Sequence, residues 1–271
     1  MNHKAREWAD FAERIVNIAG NRVVELRDKG RVDKMFKNAG ELVTSADLES
    51  DKIIREAITH CYPEHRILSE ESDEIKGWED ETFDGPLWII DPLDGTVNYA
   101  NYLPHFGISL AIAVDGIVWA GAVHAPDLNC TYVGIRKQGA YCNGELLKAC
   151  SPKSLADAII GTGFPHDKAQ LKDALSKVNI LSKHCRDIRR FAAPTIDICY
   201  VASGKLHGHT ESLAPWDVAA SGLIAREAGA MAGHVNDVPH GIPIELFGDN
   251  ILFASPSIFT ELLNLLRLSN E

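Results

Sequence analysis

Leu87-Trp88-Ile89-Ile90-Asp91-Pro92-Leu93-Asp94-Gly95-Thr96 is the stretch from which both the fold and the chemistry are read. Its first four residues form an uninterrupted apolar run, short enough for a strand buried on both faces. Asp91 stands at the end of that strand, and Pro92, with no N–H to offer a sheet, is expected to turn the chain. Asp91 and Asp94 then share one loop. Two carboxylates held together repel and raise each other's pKa, whereas a hard cation prefers such oxygen ligands. Gly95 lets the backbone approach a ligand closely, and a helix starting near Thr96 would turn free N–H groups toward a phosphate. The bland alternative is an ordinary turn, since Asp, Pro and Gly are common turn formers.

On the N-terminal side, Trp8, Phe11, Ile15, Ile18 and Leu26 recur at helical spacing between charged residues. They predict an amphipathic helix over about 4 to 28, closed by Gly30. Thr44-x-x-Asp47 resembles a capping box and opens a second helix that Pro63 stops. Ile67-Leu68-Ser69 is another short apolar run, ending in Glu70 and Glu71, and the acids from there to Asp84 read as a solvated loop. On the C-terminal side, Asp115-Gly116 joins two apolar strands, 108–114 and 117–123, in a hairpin, and strands over 131–135 and 140–147 follow, with Asn143-Gly144 marking a turn. The pattern then alternates: a strand at 159–163, helices at 168–184, 195–202 and 218–228, the last closed by Gly229, and a strand at 251–255. A final helix follows, with Ser257 as its cap. Such an order predicts a mixed α/β protein whose N-terminal part is α+β. Trp216-Asp217-Val218-Ala219-Ala220 places Asp217 at the opening of a small-residue helix, and both Asp217 and Asp47 also read as ordinary caps.

A chain of 271 residues, 45% hydrophobic, can bury a core that suits one large domain or two packed lobes. Its net charge of -11 argues against nucleic-acid or anionic-lipid partners, which are held by clustered Lys and Arg. Six cysteines without a Cys-x-x-Cys pair argue against zinc knuckles and thioredoxin-like chemistry, and are expected to be reduced and mostly buried. No apolar run approaches a membrane span, and Lys4, Arg6 and Glu7 interrupt the N-terminus, so a cytoplasmic protein is expected. His207-x-His209 would point two imidazoles to one face of a strand. With no third soft ligand it reads as a surface strand, and His105, His166 and His184 lack a partner that implies chemistry.

Leu42-Val43-Thr44-Ser45-Ala46-Asp47, Ser69-Glu70-Glu71-Ser72, Asp91 to Asn98 and Trp216 to Ala220 occur in this order. Carrying these motifs, essentially the whole chain resembles the inositol monophosphatase family, within the fructose-1,6-bisphosphatase-like superfamily of lithium-sensitive phosphatases. The resemblance implies a layered αβαβα sandwich, with an α+β lobe over 1–150 and an α/β lobe over 151–271 that supplies Asp217, and a homodimer. It implies up to three Mg²⁺ ions: Glu70, Asp91 and the Leu93 carbonyl at the first, Asp91, Asp94 and Asp217 at the second, and Glu70 with waters at the third. Asp47, Thr96 and Glu70 are the implied catalytic residues, Thr96 and Asp47 orienting and deprotonating the attacking water near Thr44. The implied substrate contacts are Asp94, the Gly95 and Thr96 amides, Ala193, Glu211 and Asp217.

Val97-Asn98-Tyr99 after Gly95-Thr96 is similar to the inositol monophosphatase subgroup, whereas 3'-phosphoadenosine phosphatases carry a Lys-Glu-Phe-like continuation. A small polyol or sugar phosphate is therefore the expected substrate. Three features depart from the family pattern: Pro194 stands where a backbone N–H faces substrate hydroxyls, the Glu211 to Asp217 spacing is one residue shorter than in the animal enzymes, and the spacing from Lys37, the candidate mobile-loop lysine, to Thr44 is also one short. Histidinol phosphatase, fructose-1,6-bisphosphatase and nucleotide phosphatase activities stay open. A non-catalytic interaction protein is opposed by the intact carboxylates Glu70, Asp91, Asp94 and Asp217.

Overall fold

The apolar run at Leu87 alternates as a doubly buried strand must: Trp88 and Ile90 face one core, Leu87 and Ile89 the other. The computed structural model describes residues 2–30, 33–36, 42–72, 82–165 and 171–268. Lys37, His166 and most of the acidic stretch between Glu71 and Asp84 lie outside the described residues.

The N-terminal half contains α1 (Asn2–Asp28), β1 (Lys34–Phe36), β2 (Leu42–Thr44), α2 (Ser45–Cys61), β3 (Arg66–Ser69), β4 (Pro86–Asp94) and α3 (Thr96–Ala100). There follow β5 (Gly107–Val114), β6 (Ile117–Ala125), β7 (Cys130–Ile135), β8 (Gly139–Cys142) and β9 (Glu145–Leu146). β3 to β9 form a seven-stranded sheet in sequence order, while β1 and β2 pair apart from it. Asp115 and Gly116 both adopt positive φ, 53° and 73°, as the tight β5–β6 hairpin turn requires.

The second half supplies β10 (Ile159–Thr162), α4 (Leu171–His184), β11 (Asp187–Arg189), α5 (Pro194–Ala202), β12 (Gly208–Leu213), α6 (Pro215–Glu227), β13 (Met231–His234), β14 (Gly248–Ala254) and α7 (Phe259–Leu268). Its sheet has five strands in the order β11-β10-β12-β14-β13. Short β11 and β13 were not legible in the sequence, because neither carries an alternating apolar pattern.

Three cores separate five layers. α1 and α2 cover one face of the large sheet through Trp8, Phe11, Ile54 and Ile58. α5 and α6 fill the space between the sheets, and α7 packs on the outer face of the smaller one through Leu262 and Leu266, with Leu181 of α4 beside them. The expected αβαβα sandwich is therefore present. Close approach in the middle layer needs small residues: a side chain on Gly121 would meet Ala220 at 2.8 Å, so α6 lies directly on β6.

Three local expectations are corrected. Pro92 does not end the strand, because β4 continues to Asp94 through a bulge between the pairs Asp91↔Ser109 and Asp94↔Gly107. A bulge tolerates a residue without an N–H, and β3 stops pairing at Ile90, so no ladder bond is lost at Pro92. Ser257 does not cap α7, since its hydroxyl donates to the Pro152 carbonyl at 3.0 Å. Of the six free cysteines only Cys199 is fully buried, four are partly buried and Cys61 is exposed.

Candidate metal centre

The β4 bulge re-aims its carboxylates. Asp91 and Asp94 are 1% and 6% exposed, and Asp217, third residue of α6, is brought up to them from the middle layer. Each of the three offers an oxygen, and these oxygens lie within 4.8 Å of one another. Burial, followed by the charges of Glu70, Asp94 and Asp217, holds the Asp91 pKa well above the carboxylate range. Burial likewise pushes Asp94 up to about 7, against hydrogen bonds from Thr195 that favour its ionised form. A set of hard oxygen donors whose carboxylates raise one another's pKa fits a divalent cation such as Mg²⁺. Glu70 follows the end of β3, its N–H donating to the Ile90 carbonyl at 3.2 Å, and this parallel pairing carries it to Asp91.

Asp217 and Asp47 both do cap helices, as the bland expectation had it. Asp217 Oδ2 accepts from the Ala214 N–H at 2.8 Å, and Asp47 Oδ2 accepts from the Thr44 N–H at 2.8 Å and its hydroxyl at 2.5 Å. Capping occupies one oxygen of Asp47; the other, Oδ1, lies 3.0 Å from Thr96 Oγ1. Thr96 Oγ1 is also 3.0 Å from the Leu93 carbonyl, so its single proton is shared between two acceptors. Burial raises the Asp47 pKa in spite of these hydrogen bonds. Gly95, at φ 80°, caps α3 with no side chain, and a Cβ there would meet the His105 carbonyl at 2.7 Å. The Gly95–Thr96 corner is thus backbone-lined and starts a helix, as expected.

Several residues here escaped the sequence. Thr195 donates its N–H to Asp94 Oδ2 at 2.8 Å and its hydroxyl to the same oxygen, so Asp94 sits at the N-terminus of α5. The Asn98 amide donates to the carbonyls of His105 at 2.7 Å and Phe191 at 2.6 Å, tying the Gly95 corner to the 191–193 loop. Ala193 comes within reach of Gly95 by this route. Pro194 is the first residue of α5, where the missing N–H has no helical partner to lose. His105 stacks on Phe191 with centroids 4.5 Å apart, a packing role. Glu211 projects from β12 over Gly163, and its charge reaches Asp94. His209 contradicts the surface-strand expectation, being fully buried. The only available signal was its two-residue spacing to Glu211.

Residues 4–267 match the profile of the inositol monophosphatase family. The chain belongs to the inositol monophosphatase family. It is 35% identical to Nus factor SuhB of Pasteurella multocida over 97% of each chain. Among solved structures, the Thermotoga maritima IMPase superposes with a TM-score of 0.84 at 30% identity, over 97% of this chain and 98% of that one. The inositol monophosphatase of Anabaena (Nostoc) gives 0.82 at 27%, over 97% and 96%. Family membership supports a phosphatase, and the acidic cluster supplies a place for metal. No helix among the described residues is long and apolar enough to cross a membrane.

Proposed function

We propose that this family member is a Mg²⁺-dependent phosphomonoesterase of the inositol-1-monophosphatase type, acting on a small polyol or sugar phosphate. The observation that carries this is the convergence of Asp91, Asp94 and Asp217, oxygens within 4.8 Å, from two layers of the fold. Glu70, Asp91 and the Leu93 carbonyl would hold one cation, and Asp91, Asp94 and Asp217 a second, with Glu70 and waters at a third. A bound divalent cation supplies Lewis acidity, lowering the pKa of water and neutralising phosphate oxygens.

The protein's own groups do the rest. Gly95 and Thr96 present backbone N–H groups to the phosphate, and Ala193, Asp94, Asp217 and Glu211 face the alcohol. Thr96 Oγ1, poised between Asp47 and the Leu93 carbonyl, takes a proton from the attacking water as its own passes to Asp47 Oδ1. Pro194 removes one N–H from the alcohol side, which favours recognition through Glu211. The 1–150 and 151–271 division belongs to this proposal, with Asp217 coming from the second lobe.

Phosphate release from a panel of inositol, sugar, histidinol and nucleotide phosphates, with Mg²⁺ and with EDTA, tests it. Turnover that needs Mg²⁺ and is fastest on polyol or sugar esters is expected; no release from any ester would sink the proposal. The name Nus factor, borne by the relatives at 35% identity, supports a second role as a partner of transcription factors. Such binding would survive Asp94→Asn, which removes turnover alone.

A further inference from the structure

Two strands of the smaller sheet are matched residue for residue. β10 and β12 run parallel with Gly161 opposite His209 and Thr162 opposite Thr210, and Gly163, just past the end of β10, lies against the Glu211 side chain. Side chains two apart on a strand share a face. A Cβ on Gly161 would meet His209 Nδ1 at 2.8 Å, and one on Gly163 would overlap the Glu211 carboxylate at 1.7 Å. The two glycines therefore vacate the volume that the imidazole and the carboxylate occupy.

His209 is 0% exposed and lies between two acids, with Nε2 3.3 Å from Glu211 Oε2 and Nδ1 3.7 Å from Asp197 Oδ2. Asp197, on α5, is 1% exposed. Neither ring nitrogen makes an aligned hydrogen bond, nor does Asp197 Oδ1. Buried polar groups in this state are rare enough to need a reason. Burial alone would discharge the imidazole, yet Glu211 and Asp197 outweigh it and hold the pKa of His209 above its ordinary value. Burial also pushes Asp197 up to about 7. An imidazole held between two acids fixes the direction of both. Without it Glu211, facing the charges of Asp94 and Asp197, would turn away. Buried ion networks of this kind specify geometry more than they add stability. Glu211 also borders a cavity of about 280 Å³ that Thr162, Gly163, Lys177 and Asn250 help to line.

Resting on the phosphatase proposal above, we propose that His209 is a positioning residue, clamped by Asp197, that aims the Glu211 carboxylate at hydroxyls of the substrate alcohol and so sets selectivity for polyol esters. His209→Phe keeps a ring in the space and removes the clamp. The rates to compare are kcat/KM for myo-inositol 1-phosphate and for phenyl phosphate, which has no hydroxyl for Glu211 to hold. Their ratio is expected to fall about tenfold, through KM for the inositol ester, as loss of a hydrogen bond to a charged group implies. Gly163→Ala should produce the same loss by displacing Glu211 from the opposite side with His209 intact. In a Glu211→Gln background, His209→Phe should change the ratio no further, because the two residues act through one contact. An unchanged ratio in both single variants, or additive losses in the double variant, would overturn the positioning role while leaving the phosphatase proposal standing. A wild-type protein inert on both esters and on every other ester of the panel would remove both.

Discussion

Asp94 is an acid held where it is costly to ionise. It accepts two hydrogen bonds from Thr195 and points into a cluster with Asp91 and Asp217, and burial pushes its pKa up to about 7. Asp94→Asn keeps an acceptor for Thr195 but removes a cation ligand. Phosphate release should drop at least about a hundredfold, read at saturating Mg²⁺, while the far-ultraviolet circular dichroism stays native. The same substitution gives a pH signature without metal. The folded protein binds the Asp94 proton more tightly than the unfolded chain, so its contribution is fully present below the unfolded pKa near 3.8 and is lost as pH rises through about 7. Relative to Asp94→Asn, wild-type stability in EDTA should fall from pH 5.5 to pH 8. Buried histidines such as His124 and His234, whose pKa values are lowered, work in the opposite direction, but they cancel in the comparison. Urea titrations of both proteins at the two pH values measure it.

α6 is the element that makes the cluster possible. Its residues Ala219, Ala220, Ser221 and Gly222 are small and buried, and Gly121 and Gly134 on the sheet leave it room. Asp217, near its N-terminus, therefore stands against the end of β4 rather than a side chain's width away. Gly121→Val puts a branched side chain into Ala220. The overpacking should cost about 1 to 3 kcal/mol in denaturant unfolding. It should also weaken Mg²⁺ binding measured by calorimetry, because Asp217 moves with its helix. Mg²⁺ affinity equal to that of the wild type would show that the helix tolerates the displacement. The small-residue character of this helix was legible in Ala219-Ala220, and so was the Thr44–Asp47 capping box, because both depend on neighbours a few residues away. The β4 bulge was not: Pro92 alone reads as a stop, and only the absence of a β3 partner beyond Ile90 makes it tolerable there.

At the scale of the whole molecule, the cation site joins β4 of the large sheet to the middle helices, so binding there should stabilise the fold as a unit. Mg²⁺ at about a hundred times its Kd should contribute about 2.7 kcal/mol, a rise in Tm of roughly 5 to 10 °C by calorimetry at pH 8. No rise in the wild type, or an equal rise in Asp94→Asn, would count against the site. The sequence by itself determined the mixed α/β class, the strand and helix order around Leu87 to Thr96, and the identity of the acids, because alternation, capping and turn chemistry act over a few residues; the layered sandwich was implied only by the family resemblance. It also determined that hard oxygen donors dominate. Only the tertiary structure decided who stands beside whom. Thr195 grips Asp94 across 101 residues of chain, and Asn98 reaches Phe191 across 93. His209, read as a surface residue, is buried because β12 lies inside its sheet between β10 and β14 and beneath α5. Sheet order and layer stacking set such contacts, and they are properties of how the whole chain packs, which no local pattern encodes.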